Sequence, residues 1–338
     1  MLEKNIEIPK SSRDILNVAV DEAVNQYVTM HGKDMTIEPL SLFETVFMLG
    51  LEFRRKNPPI ILVRTYQVGF ESKKKSPYSI VVVQPRVPSQ DQFREKVTNN
   101  GKLCIIKEEA AEDIMQQLSE IAEKLEERVD FVCFPELSFF DKKETYDVLS
   151  KIGKEKDCFI IAGSFHDEKT ESNISVIFSP QGNWFNQSKI FRSKNEGINE
   201  KPIEYLNEFD FLEGRFCVLI CIDSEREDIR QILKERLKDR KCPVLVFNPS
   251  HTEHPKRATE LLANNLMVLI SAAIVFCNTN QKGGSTVLVP FVELKDRKFR
   301  LFELPPSAKT EIGNAQVDVN LLMENRLSKQ NGVVSMTR

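Results

Sequence analysis

The chain has 338 residues, 41% of them hydrophobic, and carries 47 basic against 50 acidic side chains for a net charge of -3. That length builds one large domain, or one domain with an extension, and the near-neutral balance argues against a nucleic-acid or anionic-membrane partner. Residues 1–15 hold charges and a proline where a secretory segment needs an apolar stretch, and the longest apolar run, Leu266 to Cys277, falls short of the roughly 20 residues of a spanning helix.

A soluble, cytoplasmic protein is therefore expected. Seven cysteines, an odd number spread through apolar runs, suit a reducing compartment better than a disulfide framework. Cys217 and Cys221 are four apart, but no further ligands stand near them in sequence, so no metal is expected there.

Residues 1–75 read as a mainly helical extension. Ser11 or Ser12 caps a helix over 13–30, and a second helix over 38–56 ends at Asn57-Pro58-Pro59. Ile60 to Val63 is a short strand, and the polar stretch 71–77 marks a boundary. From Ser79 the pattern becomes alternating strands and helices. Ile80-Val81-Val82-Val83 is a continuous apolar run, as expected of a strand covered on both faces. A helix over 108–128 and a strand over 131–134 follow, then a helix over 142–156 and a strand over 159–162. Ile174–Phe178 and Trp184–Ser188 form a hairpin around Pro180-Gln181-Gly182-Asn183. Arg215–Cys221 is a strand, 228–241 a helix, Val244–Phe247 a strand and 256–271 a helix. Strands over 273–278, 286–289, 299–303 and 316–319 complete an α/β chain.

Three polar side chains stand at the ends of such strands. Glu136 follows Phe134-Pro135, Lys189 closes the hairpin, and Cys221 follows Leu219-Ile220. Taken singly, each has an ordinary reading as a buried thiol, a loop carboxylate or a solvated lysine. Taken together they are the parts of a covalent hydrolase, because a neutral thiol needs an adjacent base or cation to become a nucleophile.

With these residues in this order, the chain resembles the nitrilase superfamily (carbon-nitrogen hydrolases) from about Ser79 to Leu322. The resemblance runs through Val82-Val83-Gln84, Phe134-Pro135-Glu136, the hairpin ending at Lys189, and Gly214-Arg215-Phe216 leading to Leu219-Ile220-Cys221-Ile222-Asp223. Asn248-Pro249-Ser250, Gly284-Ser285 and Val317-Asp318-Val319 follow. It implies a four-layer α-β-β-α sandwich over 76–325, with the extension 1–75 before it and a tail over 326–338. It implies cleavage of an amide, or as second choice a nitrile, through a Cys221 acyl-enzyme without a cofactor. Glu136 would be the base, and Lys189 and the Ile222 N–H would hold the oxyanion. Lys194 is the fallback for the lysine. A second acid is expected beyond it, with Glu196 the nearest match and Glu200 and Glu204 competing. Asp223, Asn248, His251 and His254 would line the substrate mouth. A homodimer or larger assembly would form through the helix after Cys221 and the helix from Lys256.

Several positions depart from the family pattern. Ser224 to Asp228 lacks the usual aromatic and proline, with Arg226 one place late. Ile222 replaces an aromatic or acidic residue, and His251-Thr252-Glu253-His254 stands where a tryptophan is typical. These departures keep a second reading open. In it the chain is a catalytically idle sensor or scaffold, and residues 1–75 link it to a larger, for example defence-associated, system.

Overall fold

Ile80-Val81-Val82-Val83 shows how one strand serves two cores. Ile80 and Val82 point into one apolar cluster and Val81 and Val83 into another, as a period of two requires. The computed structural model describes residues 3–7, 9–10, 59–70, 77–86, 92–201, 203–211, 214–237, 242–267, 270–290 and 300–318. The helices expected over 13–30 and 38–56 and the tail over 326–338 lie outside the described residues, as does most of the boundary stretch.

In chain order the described elements are β1 (Glu3–Glu7), β2 (Ile60–Gln67), β3 (Tyr78–Gln84), β4 (Phe93–Thr98), β5 (Gly101–Ile106) and α1 (Ala111–Lys124). Next come β6 (Phe131–Cys133), α2 (Lys143–Lys156), β7 (Phe159–Asp167), β8 (Ser172–Phe178), β9 (Trp184–Ser188), β10 (Ile203–Phe211) and β11 (Gly214–Val218). Then follow α3 (Glu227–Leu237), β12 (Val244–Pro249), α4 (Pro255–Leu262), β13 (Ala273–Cys277), β14 (Thr286–Leu288) and β15 (Glu311–Val317).

Two mixed sheets result. One runs β1-β2-β10-β11-β12-β13-β14 and the other β15-β3-β6-β7-β8-β9. Their facing sides share one core, in which Phe131 meets Phe70, Tyr78, Phe159, Phe211, Phe216 and Phe247. The outer side of the seven-stranded sheet packs on α3 and α4 through Ile229, Ile232, Leu233 and Leu262. The outer side of the six-stranded sheet packs on α1 and α2 through Ile114, Leu118, Ile121, Leu149 and Ile152. The molecule is thus the expected four-layer α-β-β-α sandwich. Among the described residues no helix is long and apolar enough to cross a membrane.

The differences from the sequence reading have physical causes. β10 was not foreseen, because Glu204, Glu208 and Asp210 interrupt its apolar residues. Glu208 is nevertheless buried, held by Arg215 Nη1 at 2.5 Å and Arg236 Nη2 at 3.0 Å. β2 runs past Val63 to Gln67 and pairs in parallel with β10 along its whole length. Residues 60–70 are therefore continuous with the sandwich, and Phe70 reaches its central core. The hairpin β4–β5 was also missed, since its sequence is largely charged. The last strand lies earlier than expected, at Glu311–Val317, and residues 300–304 contribute isolated bridges.

Replacing Phe131 by alanine should cost about 3–5 kcal/mol in urea unfolding, because the six rings around it cannot close over the hole. Val97→Ala, on a residue 74% exposed, should stay within about 0.5 kcal/mol.

Candidate active site

The sequence places Glu136 just beyond β6, in a loop that must pass close to β7. Phe134 N–H donates to Ile161 O at 2.8 Å, and Phe139 N–H to Ser164 O at 3.2 Å. Between these anchors β7 bulges, and Gly163 adopts φ +75°. A Cβ there would sit 2.1 Å from Pro135 O, so only glycine lets the Pro135-Glu136 turn approach. From the other sheet, the Ser250 carbonyl accepts the Glu136 N–H at 3.3 Å.

Lys189 follows β9 directly and is buried. Its Nζ donates to Glu136 Oε1 at 2.8 Å, Glu196 Oε2 at 2.8 Å and Ser193 Oγ at 3.1 Å. Asn173 Nδ2 bridges the same two carboxylates, at 2.8 Å from Glu136 Oε1 and 2.9 Å from Glu196 Oε1. Glu196 also accepts the Ser193 N–H at 2.8 Å and faces His166 Nε2 at 3.1 Å.

Burial works against the Lys189 charge, but the charges of Glu136 and Glu196 outweigh it and hold the ammonium well above its ordinary value. Burial likewise disfavours a charged Glu196. The hydrogen bond from His166, the Lys189 ammonium and the Ser193 N–H nevertheless keep it well below the usual carboxylate range. The depressed Glu196 contributes stability above about pH 4.3 that is lost as pH falls through its lower folded value. The raised Lys189 contributes stability below about pH 10.4 that is lost only as pH climbs past its higher folded value. The ion cluster is therefore intact across the neutral range.

Cys221 is not the end of a strand. β11 stops at Val218, and Cys221 opens a 3-10 turn over Cys221–Glu225 with φ +49°, an uncommon conformation for a side-chain-bearing residue. Three groups hold the turn. Asn248 Nδ2 donates to Leu219 O at 2.7 Å and Cys221 O at 3.2 Å, and Ser224 Oγ donates to Cys221 O at 2.8 Å. The buried Asp223 carboxylate accepts the N–H groups of Ile190, at 3.0 Å, and Phe191, at 2.8 Å. Burial pushes the Asp223 carboxyl up to about 7, against the pull of those two N–H groups.

The thiol is half-buried. Burial and then the Glu136 charge push it up to about 12, while Lys189 and the His251 N–H pull the other way. It is therefore neutral at rest, beside a carboxylate.

Of the residues singled out from sequence, Glu136, Lys189, Glu196 and Cys221 come together, with Ile222 half-buried beside the thiol. Asp223 and Asn248 bind backbone atoms that shape the turn. His251 and His254 are exposed on the loop after β12. Lys194 is exposed. Glu200 accepts the Arg192 N–H, and Glu204 the Lys201 N–H, at 3.1 Å each. Among the described residues no group of His, Cys, Asp or Glu is arranged to hold a metal ion. Sequence reasoning missed Asn173 and His166. Asn173 left one faint sign, an amide beside the apolar run of β8. His166 left none.

No protein-family model matches the sequence, and no curated protein matches it. Solved structures do match. Nit3 of Saccharomyces cerevisiae, a member of branch 10 of the nitrilase superfamily, is similar at a TM-score of 0.55 and 18% identity, over 79% of this chain and 98% of that one. XC1258 of Xanthomonas campestris, a CN-hydrolase superfamily protein with an arsenic adduct in its active site, is similar at 0.54 and 13%, over 78% and 100%. A mutant of the amidase of Nesterenkonia sp. AN1 bears the acetamide moiety of fluoroacetamide on its active-site cysteine. It is similar at 0.51 and 13%, over 77% and 97%. At these identities the likeness is one of fold, and the chain has the fold of the nitrilase superfamily.

Lys189→Met leaves two carboxylates bridged only by Asn173. It should cost about 3–5 kcal/mol in urea unfolding near neutral pH. The deficit should shrink toward about pH 5, as one carboxyl takes up a proton. A loss independent of pH would mean that the lysine does not pair these acids.

Proposed function

We propose that the chain is a carbon-nitrogen hydrolase that acts on a small amide through an acyl-enzyme on Cys221. The observation that carries this is the meeting of Cys221, Glu136 and Lys189 at one place: the charges of Glu136 and Lys189 both act on the thiol, and Glu136 Oε1 lies 2.8 Å from Lys189 Nζ. A neutral thiol beside a carboxylate is the resting state of a nucleophile that waits for its base.

In this reading Glu136 takes the thiol proton as sulfur attacks the amide carbon. The C=O pair moves onto oxygen, where the Lys189 charge and the Ile222 N–H stabilise it. The three donors of Lys189 already serve Glu136, Glu196 and Ser193. The Ser193 contact, the longest and the only neutral one, is the easiest to redirect toward the oxyanion. Glu136 then gives its proton to the nitrogen, and ammonia or an amine leaves. Water attacks the thioester with Glu136 again as base, releasing the acid and restoring the thiol. Glu196 and Asn173 keep Lys189 and Glu136 in register. An amide suits this chemistry better than a nitrile, because Glu136 has a leaving amine to protonate. The same reading includes a homodimer through α3 and α4, in the cytoplasm. Sedimentation as a clean monomer at micromolar concentration would remove that part of it.

Incubation with fluoroacetamide should place one acetamide moiety on Cys221, located by peptide mass, and none there in Cys221→Ala. On a small amide that turns over, Glu136→Gln should lower kcat by roughly 100- to 10,000-fold. A native Cys221 that stays unmodified while small amides remain intact would leave the idle-scaffold reading in its place.

A further inference from the structure

Glu196 is fixed from two directions, and only one of them belongs to the reacting groups. On one side lie Lys189, Asn173 and the Ser193 N–H. On the other lies His166, on β7, with its side chain 4% exposed. The imidazole is itself held at both nitrogens. Nε2 is 3.1 Å from Glu196 Oε1, and Nδ1 accepts the Cys104 N–H of β5 at 2.8 Å. Burial works against an imidazolium, but the hydrogen bond to Glu196 and the charges of Glu196 and Glu136 outweigh it and pull the ring up to about 9. The Cys104 N–H stands against that pull, because at 2.8 Å it needs a lone pair on Nδ1, which an imidazolium lacks. The ring in this geometry is the neutral tautomer with its proton on Nε2.

The hairpin β4–β5 that supplies the Cys104 N–H also grips the Glu196 loop. Lys102 N–H donates to Asn195 O at 3.0 Å, Gly197 N–H to Lys102 O at 2.8 Å, and Thr98 Oγ1 to Gly197 O at 2.9 Å. The fit is close. A Cβ on Gly101 would lie 2.4 Å from Asn195 O, and one on Gly197 would lie 2.8 Å from the Lys102 backbone. At its other edge the hairpin is tied to the end of β7, where Arg94 pairs with the Glu168 carboxylate and Lys96 Nζ donates to Glu168 O at 3.0 Å. One hairpin thus sets both the loop that carries Glu196 and the ring that orients it.

We propose that His166, as its Nε2–H tautomer braced by the hairpin 93–106, is a positioning residue that orients Glu196 and, through it, Lys189 beside Cys221. The inference rests on the hydrolase reading for its effect on reactivity, and on geometry alone for the tautomer.

His166 also walls a cleft of about 620 Å³, together with Cys104, Leu137, Phe139 and Phe165. That cleft makes a decisive experiment possible, since a hole left by the ring would open into a space that free imidazole can enter. The rate of Cys221 alkylation by fluoroacetamide should fall about tenfold in both His166→Phe and His166→Gly, the scale on which residues that orient reactive groups act. Added imidazole should restore His166→Gly, not His166→Phe, to within about threefold. His166→Gln, which keeps an N–H donor near the Nε2 position, should retain most of the rate. Nitrogen NMR of the four-histidine chain should show His166 neutral and protonated on Nε2 near pH 7. Alkylation at the native rate in His166→Gly and His166→Phe would overturn the proposal, as would a loss that neither imidazole nor glutamine repairs. An imidazolium in the spectrum would overturn it too. A native Cys221 that does not react at all, with small amides also left intact, would bring down the hydrolase reading, while the spectrum would still decide the tautomer.

Discussion

One ammonium between two buried carboxylates is the constraint on which the rest of this molecule depends. Burying three charges costs several kcal/mol each, and only close, fully bonded geometry offsets it. Here the geometry is supplied by separate elements: Glu136 from the end of β6, Lys189 from the end of β9, Glu196 from the loop beyond and Asn173 from β8. None of these positions can drift without stranding a charge. The six-stranded sheet therefore has one arrangement of its strand ends, and Cys221, from the other sheet, is brought to that fixed arrangement. Asp223 makes the connection, because its carboxylate takes the two N–H groups that follow Lys189.

The Cys221 turn complements the cluster. Its positive φ, the Asn248 brace and the Ser224 hydroxyl together hold the Cys221 backbone out of the strand conformation. Burial, and after it the Glu136 charge, keep sulfur protonated, which would disable a thiol meant to react alone. With a carboxylate beside it, the same environment keeps the sulfur neutral until a substrate carbonyl arrives. Desolvation thus protects the group from idle oxidation and leaves activation to the base.

Much of this was readable from the chain. Continuous apolar runs such as Ile80–Val83 announced doubly covered strands, and the order Glu136, Lys189, Cys221 at strand ends announced the site. What escaped was polar sequence made buried by pairing. β10 carries Glu208 in a central strand, legible only once Arg215 and Arg236 are known to face it. The hairpin β4–β5 reads as surface charge, yet it seats Glu196. Asn173 and His166 lack spacing signals because they meet their partners across strands, not along one. The site acids competing with Glu196 could not be separated by sequence, since the choice among Glu196, Glu200 and Glu204 turns on a loop path of a few residues.

The strand pairings also order events in time. β2 finds its parallel partner only when Ile203 and its neighbours exist, and β3 pairs with β15, Val83 opposite Ile312. During synthesis, then, neither sheet has all its strands until almost the whole chain has left the ribosome. The inner faces, rich in phenylalanine, stay unpaired through that interval, which favours slow folding and exposure to aggregation. The late strand β15 is then the latch that completes the six-stranded sheet.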